Sequence, residues 1–321
     1  MRAYQFLIIM GLLGAAFGAA TPASARPQYN AQQTEFRTGY RGHVFAYHYA
    51  WLNPQGQTEK MTFELKKEMA QQSNREFKRL SQEEFSAYSE MALSRYQPQN
   101  PKIQVKFMQS PTGVSANLSG NFVTPNELER EKQNIHTYME SLQQSFLKEN
   151  LYHDYEKWGR LPDYGEITKL YTPRMAPVAE AIMKNTQGMS PRDRINYTLN
   201  FLQSIPYDVL TDRKNSNGSG YATPVEMLSR NLGDCDSKSV AFLSILRNMF
   251  PQTPMAIVLV PKHAFIGMLT APQAGDATVK IDGYTFVLAE PVGPKLAKIG
   301  ELNPDSARYL QRGDYTYVRV Y

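Results

Sequence analysis

The sequence predicts an α+β fold, in which a cysteine-bearing helix packs on an antiparallel sheet in the C-terminal part and a small α+β domain precedes it. Three observations carry this. Two strand-strand-helix patterns follow one another between about Arg41 and Tyr152, helical patterns then run to Asn248, and from Met255 the apolar period becomes two.

The first strand pair is His43–Trp51 and Met61–Lys66, separated by Asn53-Pro-Gln-Gly56, whose proline and glycine signal a turn. A helical run from Asn74 to Tyr96 follows, with Phe77, Leu80, Phe85 and Tyr88 near one face. Ile103–Phe107 and Val114–Leu118 alternate around the turn Pro111-Thr-Gly113, and Thr124-Pro-Asn-Glu127 is a capping box that opens a helix to about Tyr152. The linker Trp158–Gly165 marks a boundary. Helices are then expected around Met175–Asn185, from the cap Ser190 to before Pro206, and from a second capping box at Thr223–Glu226 to about Asn231. The strands Met255–Val260, His263–Thr270 and Tyr284–Glu290 close the pattern. The domain reading is residues 1–25 as a signal peptide, 41–155 as an α+β domain, and 165–321 as a second domain carrying the cysteine.

Met1-Arg2, the apolar stretch Phe6–Ala20 and Thr21-Pro-Ala-Ser-Ala25 form a basic start, a short apolar region and a small-residue cleavage site. Cleavage is expected after Ala25, which leaves about 295 residues, periplasmic or secreted and with no transmembrane anchor. The net charge of +5 is mild, and no basic run interleaved with aromatics points to nucleic acid. His43, His48, His136 and His153 match no metal-site spacing. Asp208, Asp212, Asp234 and Asp236 lack an EF-hand pattern, so calcium is conceivable and not predicted, and no cofactor is expected.

Cys235 is the only cysteine in the chain. A lone thiol in an oxidising compartment has no intrachain disulfide to join, so it is either a buried small apolar residue or a reactive group. Gly233 and the N-cap type Asp234 place Cys235 on the first turn of a helix, where the partial positive charge favours thiolate. Asp234 and Asp236 oppose that, so a base is needed. His263 is the only histidine of the C-terminal half and opens the second of those strands. Glu290 ends the last of them and would face His263 if the two strands form one antiparallel hairpin. The dipeptide Asp282-Gly283 is itself a hairpin signal and could insert Thr278–Ile281 between them. The Cys235 N–H is a natural first oxyanion donor, and Gln203, Tyr207 and Tyr221 are upstream candidates for a second, with Gln203 and Tyr207 preferred.

Residues from about Asp193 to Ile299 resemble the transglutaminase-like superfamily of papain-fold cysteine enzymes, especially its bacterial exported members. The resemblance rests on Tyr207, Thr223-Pro-Val-Glu-Met-Leu228, Leu232-Gly-Asp-Cys-Asp-Ser-Lys238, His263-Ala-Phe and Leu288-Ala-Glu-Pro-Val-Gly293. It implies a papain-like catalytic domain with Cys235 as nucleophile, His263 as base and Glu290 as orienting acid, although aspartate is the commoner third member. The expected activity is that of a cysteine peptidase or amidase, cleaving a peptide or isopeptide amide of a cell-envelope peptide or protein through an acyl-enzyme. Acyl transfer to an amine, which crosslinks proteins, and a non-catalytic binding or scaffold role are the alternatives.

Overall fold

Helices and antiparallel sheets share the computed structural model, which describes residues 2–8, 32–110, 113–155, 158–212, 216 and 218–320 and is of the α+β class. In chain order come β1 (Arg2–Ile8), β2 (Gln33–Arg41), β3 (Val44–Leu52), β4 (Thr58–Lys66), α1 (Lys67–Glu76) and α2 (Gln82–Leu93). They are followed by β5 (Ile103–Ser110), β6 (Gly113–Gly120), α3 (Pro125–Glu149), β7 (Tyr152–Asp154) and β8 (Arg160–Pro162). The remainder is α4 (Tyr164–Tyr171), α5 (Ala176–Asn185), α6 (Pro191–Ser204), α7 (Pro224–Arg230), α8 (Cys235–Met249), β9 (Met255–Val260), β10 (His263–Met268), β11 (Thr278–Ile281), β12 (Tyr284–Ala289), α9 (Pro304–Gln311) and β13 (Thr316–Val320).

These elements fall into two units, residues 79–163 with 2–8, and residues 32–78 with 164–320. The division differs from the expected domain over 41–155, because the first strand pair belongs with Cys235. The reason is aromatic packing. The fully buried Trp51 on β3 lies with its ring 5.4 Å from Tyr197 and 5.3 Å from Phe201, both on α6. Tyr49 adds an edge contact to Phe201 at 5.0 Å and donates to the Leu228 carbonyl at 2.6 Å. Rings of this size each bury a large apolar area, so the sheet β2-β3-β4 is part of this unit's core.

The expected helix from Asn74 to Tyr96 is likewise two helices, one in each unit. Phe77 leaves the helical conformation (φ −119°, ψ 126°) and turns into the core, 4.8 Å from the Tyr221 ring, while Ser81 caps α2 by accepting from the Glu84 N–H. A new cap and a core aromatic between two helical patterns are enough to break a run whose apolar period continues across them.

In the unit of residues 79–163, β1, β6 and β5 form an antiparallel sheet in that order, and Ile103 pairs with Gly120 to set the β5–β6 register. Its core is built from Leu93, Ile103, Ala116, Leu118, Ile135 and Met139, brought together by α2, α3 and the hairpin. The Thr124 box is complete, since Thr124 and Glu127 satisfy each other's backbone N–H groups. The expected turn Pro111-Thr-Gly113 lies mostly outside the described residues, as does the cleavage point after Ala25.

The larger unit carries a second sheet, in the order β11-β12-β10-β9-β13 and antiparallel throughout. Every residue of β9 is buried, as a central strand with α8 on one side and α9 on the other requires. Among the described residues no helix is long and apolar enough to cross a membrane.

A fragment beginning at Tyr164 removes β3 and its rings from the core and is expected to lack a cooperative thermal transition by near-UV circular dichroism. A fragment that melts cooperatively would restore the two-domain reading of the sequence. In the full chain Trp51→Ala is expected to cost about 3–5 kcal/mol in urea unfolding.

Candidate functional site

The site is assembled at the N-terminus of α8, which is buried nearly all round. Asp234 caps the helix as its sequence type predicts: its Oδ1 accepts from the Ser237 N–H at 2.9 Å and from the Ser237 hydroxyl, whose oxygen in turn accepts from the Ala222 N–H at 2.8 Å. Gly233 is required here because a Cβ would stand 2.7 Å from Met227 Cγ. Gly233 also makes a parallel bridge with Tyr207, in which the Gly233 N–H donates to the Pro206 carbonyl at 3.2 Å and the Asp208 N–H to the Gly233 carbonyl at 3.3 Å. The loop before it is held from the sheet side. Asn231, left-handed at the end of α7 (φ 54°), exchanges amide hydrogen bonds of 2.9 and 2.7 Å with Gln33, and Tyr47 meets Ser229 at 2.8 Å.

Cys235 occupies the first turn with 7% of its surface exposed. Its thiol donates to Asp236 Oδ1 at 3.2 Å, and the other oxygen of Asp236 accepts from the Tyr164 hydroxyl at 2.5 Å. Burial pushes the thiol well above its ordinary value, and the charges of Asp236 and Asp234 push the same way. A hydrogen bond to the sulfur from the Ala264 backbone on β10 works in the opposite sense, as does the helix N-terminus. Burial also raises Asp236, against the hydrogen bonds from Tyr164 and Cys235 and the charge of His263. The resting sulfur is therefore a protonated thiol with strand β10 against it.

His263 begins β10, and its Nε2 lies 3.0 Å from Glu290 Oε1. An ionised glutamate only accepts, so Nε2 carries the proton and Nδ1 is the accepting nitrogen of the ring. Burial acts to raise the Glu290 carboxyl. The hydrogen bonds from His263, the Ser306 hydroxyl and the Asn303 N–H outweigh it and hold the group below the ordinary glutamate range. The two strands do pair, but two residues away from the expected register. Ile266 faces Ala289, which carries Glu290 opposite Phe265 and leaves His263 at the diagonal position. Diagonal partners on one face are about 7–8 Å apart, a span suited to a glutamate and long for an aspartate. Thr278–Ile281 does form a hairpin with β12 through Asp282-Gly283, and it lies on the outer side of β12 instead of between the two strands.

Gln203 is fully buried and does not face the sulfur as an oxyanion donor. Its Nε2 donates to the Glu290 carbonyl at 2.8 Å and to the Ala297 carbonyl at 3.2 Å, so both amide hydrogens are engaged. Its role is to fix the backbone of the acid itself, just past the end of β12. Tyr207 stands beside the cysteine through the Gly233 bridge. Burial raises its phenol, and the neighbouring acidic groups Cys235, Asp234, Asp236 and Asp208 add to the shift, so it is held protonated. Tyr221 is buried with its hydroxyl unpartnered in the structure, and burial followed by surrounding negative charge raises it as well.

Asp234, Cys235 and Asp236 present donor atoms within 4.8 Å of one another, the arrangement a metal could use. Those atoms already bond to Ser237, Tyr164 and each other, so the group is complete as a hydrogen-bonded cluster. Four contributors escaped the sequence reading: Tyr164, the Ala264 N–H, and Asn303 with Ser306. For the last pair a signal exists, since Asn303-Pro304-Asp305 is a helix start, and α9 begins there with the Asn303 side chain accepting from the Asp305 N–H. Compared with models of protein families and with curated proteins, the chain finds no match.

The Glu290 shift fixes a sign. A carboxyl held lower in the folded than in the unfolded chain stabilises the fold above the unfolded value of about 4.3, and that contribution is lost as pH falls below it. Glu290→Gln is therefore expected to flatten the acid limb of stability against pH, measured as urea midpoints from pH 7 to pH 3. An acid limb as steep as the wild type's would contradict the assignment.

Proposed function

We propose that the protein is an exported cysteine hydrolase of the transglutaminase-like type. In this reading the larger unit is a papain-like catalytic domain that cleaves a peptide or isopeptide amide, in a cell-envelope peptide or protein, through an acyl-enzyme on Cys235. The observation that carries it is the 3.0 Å contact of His263 Nε2 with Glu290 on the strand that also reaches the sulfur. A nucleophilic cysteine needs a base, and the base needs an acceptor that fixes its tautomer.

His263 takes the thiol proton at Nδ1, and the sulfur attacks the carbonyl carbon of the amide. The oxygen that becomes negative is met by the Cys235 N–H at the helix start and the Tyr207 hydroxyl. His263 then returns the proton to the leaving amine as the C–N bond breaks. Water, deprotonated by the same imidazole, releases the acyl group as a carboxylic acid and restores the thiol. Export removes residues 1–25, including strand β1, and the mature protein acts outside the cytoplasm.

Alkylation by iodoacetamide across pH tests the nucleophile without a known substrate. Cys235 in the folded chain is expected to react in a way that depends on His263, and an unchanged profile in His263→Ala would sink the catalytic reading. Against an envelope peptide or isopeptide substrate, His263→Ala is expected to lower kcat/KM by about 10²–10⁴. Glu290→Asp, whose shorter carboxylate falls short across the diagonal, is expected to lower kcat with little change in KM.

A further inference from the structure

Lys238 lies three residues after Cys235 on α8, so its side chain runs back over the first turn of the helix. It is fully buried. Its Nζ donates to the carbonyl of Ile205, the residue that ends α6, at 2.5 Å. Asp234 and Asp236 at the start of α8 flank the thiol, Tyr207 after α6 senses it, and Tyr221 before α7, Tyr164 on α4 and His263 on β10 stand against those two acids. Lys238 is the lysine that senses the charges of Asp234 and Cys235.

As a packing unit this lysine is a poor choice. A buried cation carries a desolvation cost that an apolar chain of similar length avoids, and exchanging buried ions for apolar groups is often neutral or stabilising. The residues that follow on the same helix, Val240, Ala241, Phe242 and Leu243, are all apolar and fully buried, so the surroundings accept such a chain. What an apolar chain lacks is a positive charge that could favour ionisation of Asp234, Asp236 and the thiol, all of which burial holds toward their neutral forms, and a donor for Ile205.

We propose that Lys238 is a positioning residue, a reading that rests on Cys235 being the nucleophile. Its ammonium is the internal counter-charge against which the Cys235 thiolate forms, and its bond to Ile205 fixes the segment that carries Tyr207. Two ties then join the end of α6 to the cysteine loop, this one and the Pro206–Gly233 backbone bridge. Burial draws the Lys238 ammonium down to about 7, while Asp234 and then Cys235 draw it up. An ionised Cys235 thus helps to keep the lysine protonated, and by the same interaction a protonated lysine favours the thiolate.

The test is the pH profile of iodoacetamide alkylation of the full chain, for the wild type, Lys238→Met, Lys238→Gln and His263→Ala, with thermal melts beside it. Lys238→Met is expected to melt at or above the wild-type temperature and to raise the apparent thiol pKa by about one unit, a tenfold loss of rate below it. Lys238→Gln, which keeps a donor and drops the charge, is expected to show the same shift. If folded Lys238→Met and Lys238→Gln both keep the wild-type profile while His263→Ala alters it, the proposal is overturned and the nucleophile stands. If Lys238→Met does not fold and Lys238→Gln reacts as wild type, the lysine serves the fold alone and the proposal is overturned too. If His263→Ala also leaves the profile unchanged, the nucleophile reading falls and takes this one with it.

Discussion

Helix α8 is buried along its length, and the rest of the larger unit is arranged around that constraint. Its buried face takes in polar as well as apolar residues, so it must be enclosed, and α4, α5, α6, α7 and β10 all pack on it. Enclosure brings its N-terminus inside as well, where the orphan N–H groups of the first turn have no water to bond. Asp234 with Ser237 and the Ala222 N–H answers that need from within the chain. The same carboxylate then stands next to a buried thiol. The fold's requirement for a cap and the sulfur's requirement for a less negative surrounding therefore conflict at one residue, and the groups nearby are read most simply as responses to that conflict.

The acid of the site is held from three directions. β12 delivers it, the N-cap and first turn of α9 bond to its two oxygens through Asn303 and Ser306, and Gln203 at the end of α6 fixes its carbonyl. This explains why a glutamate at a strand end, an ordinary solvated position by itself, is here 5% exposed and ionised. It also explains the choice of acid. At a diagonal of the sheet the longer side chain closes a gap that a directly opposed pair would not have.

Local signals were the legible ones. Asp234 as N-cap, the Thr124 box and the Asp282-Gly283 hairpin are each decided by residues within a few positions of one another, and each appears in the structure. At Thr223 the threonine accepts from the Glu226 N–H and the Glu226 carboxylate accepts in return from the Thr223 backbone, while Arg230 reaches the same carboxylate at 3.1 Å. What depended on distant partners was not legible. The strand pair of 44–66 reads as a separate domain until Trp51 is seen against α6, and β2 and β13 are edge strands without strong alternation of their own. The β10–β12 register shows the limit most plainly. Side chains alternate with a period of two, so a slip of two residues leaves every residue on its face, and the burial pattern fits both registers equally. Gln203 failed for a related reason, since the polar side of a helix end does not say whether its partner is a substrate or a neighbouring carbonyl.

The negative field around Cys235 acts on two groups in opposite directions of use. Added to burial, which is the larger cause for both, it raises the thiol, which makes the sulfur harder to ionise, and it raises the Tyr207 phenol, which stays a donor. An oxyanion donor must not ionise, because a phenolate would repel the charge it is meant to receive. The flanking acids therefore act in the same sense on both groups, and both residues are fixed to Gly233 or its neighbour by backbone. In the proposed mechanism the base and the cation, His263 and Lys238, would relieve the thiol while leaving the flanking acids in place.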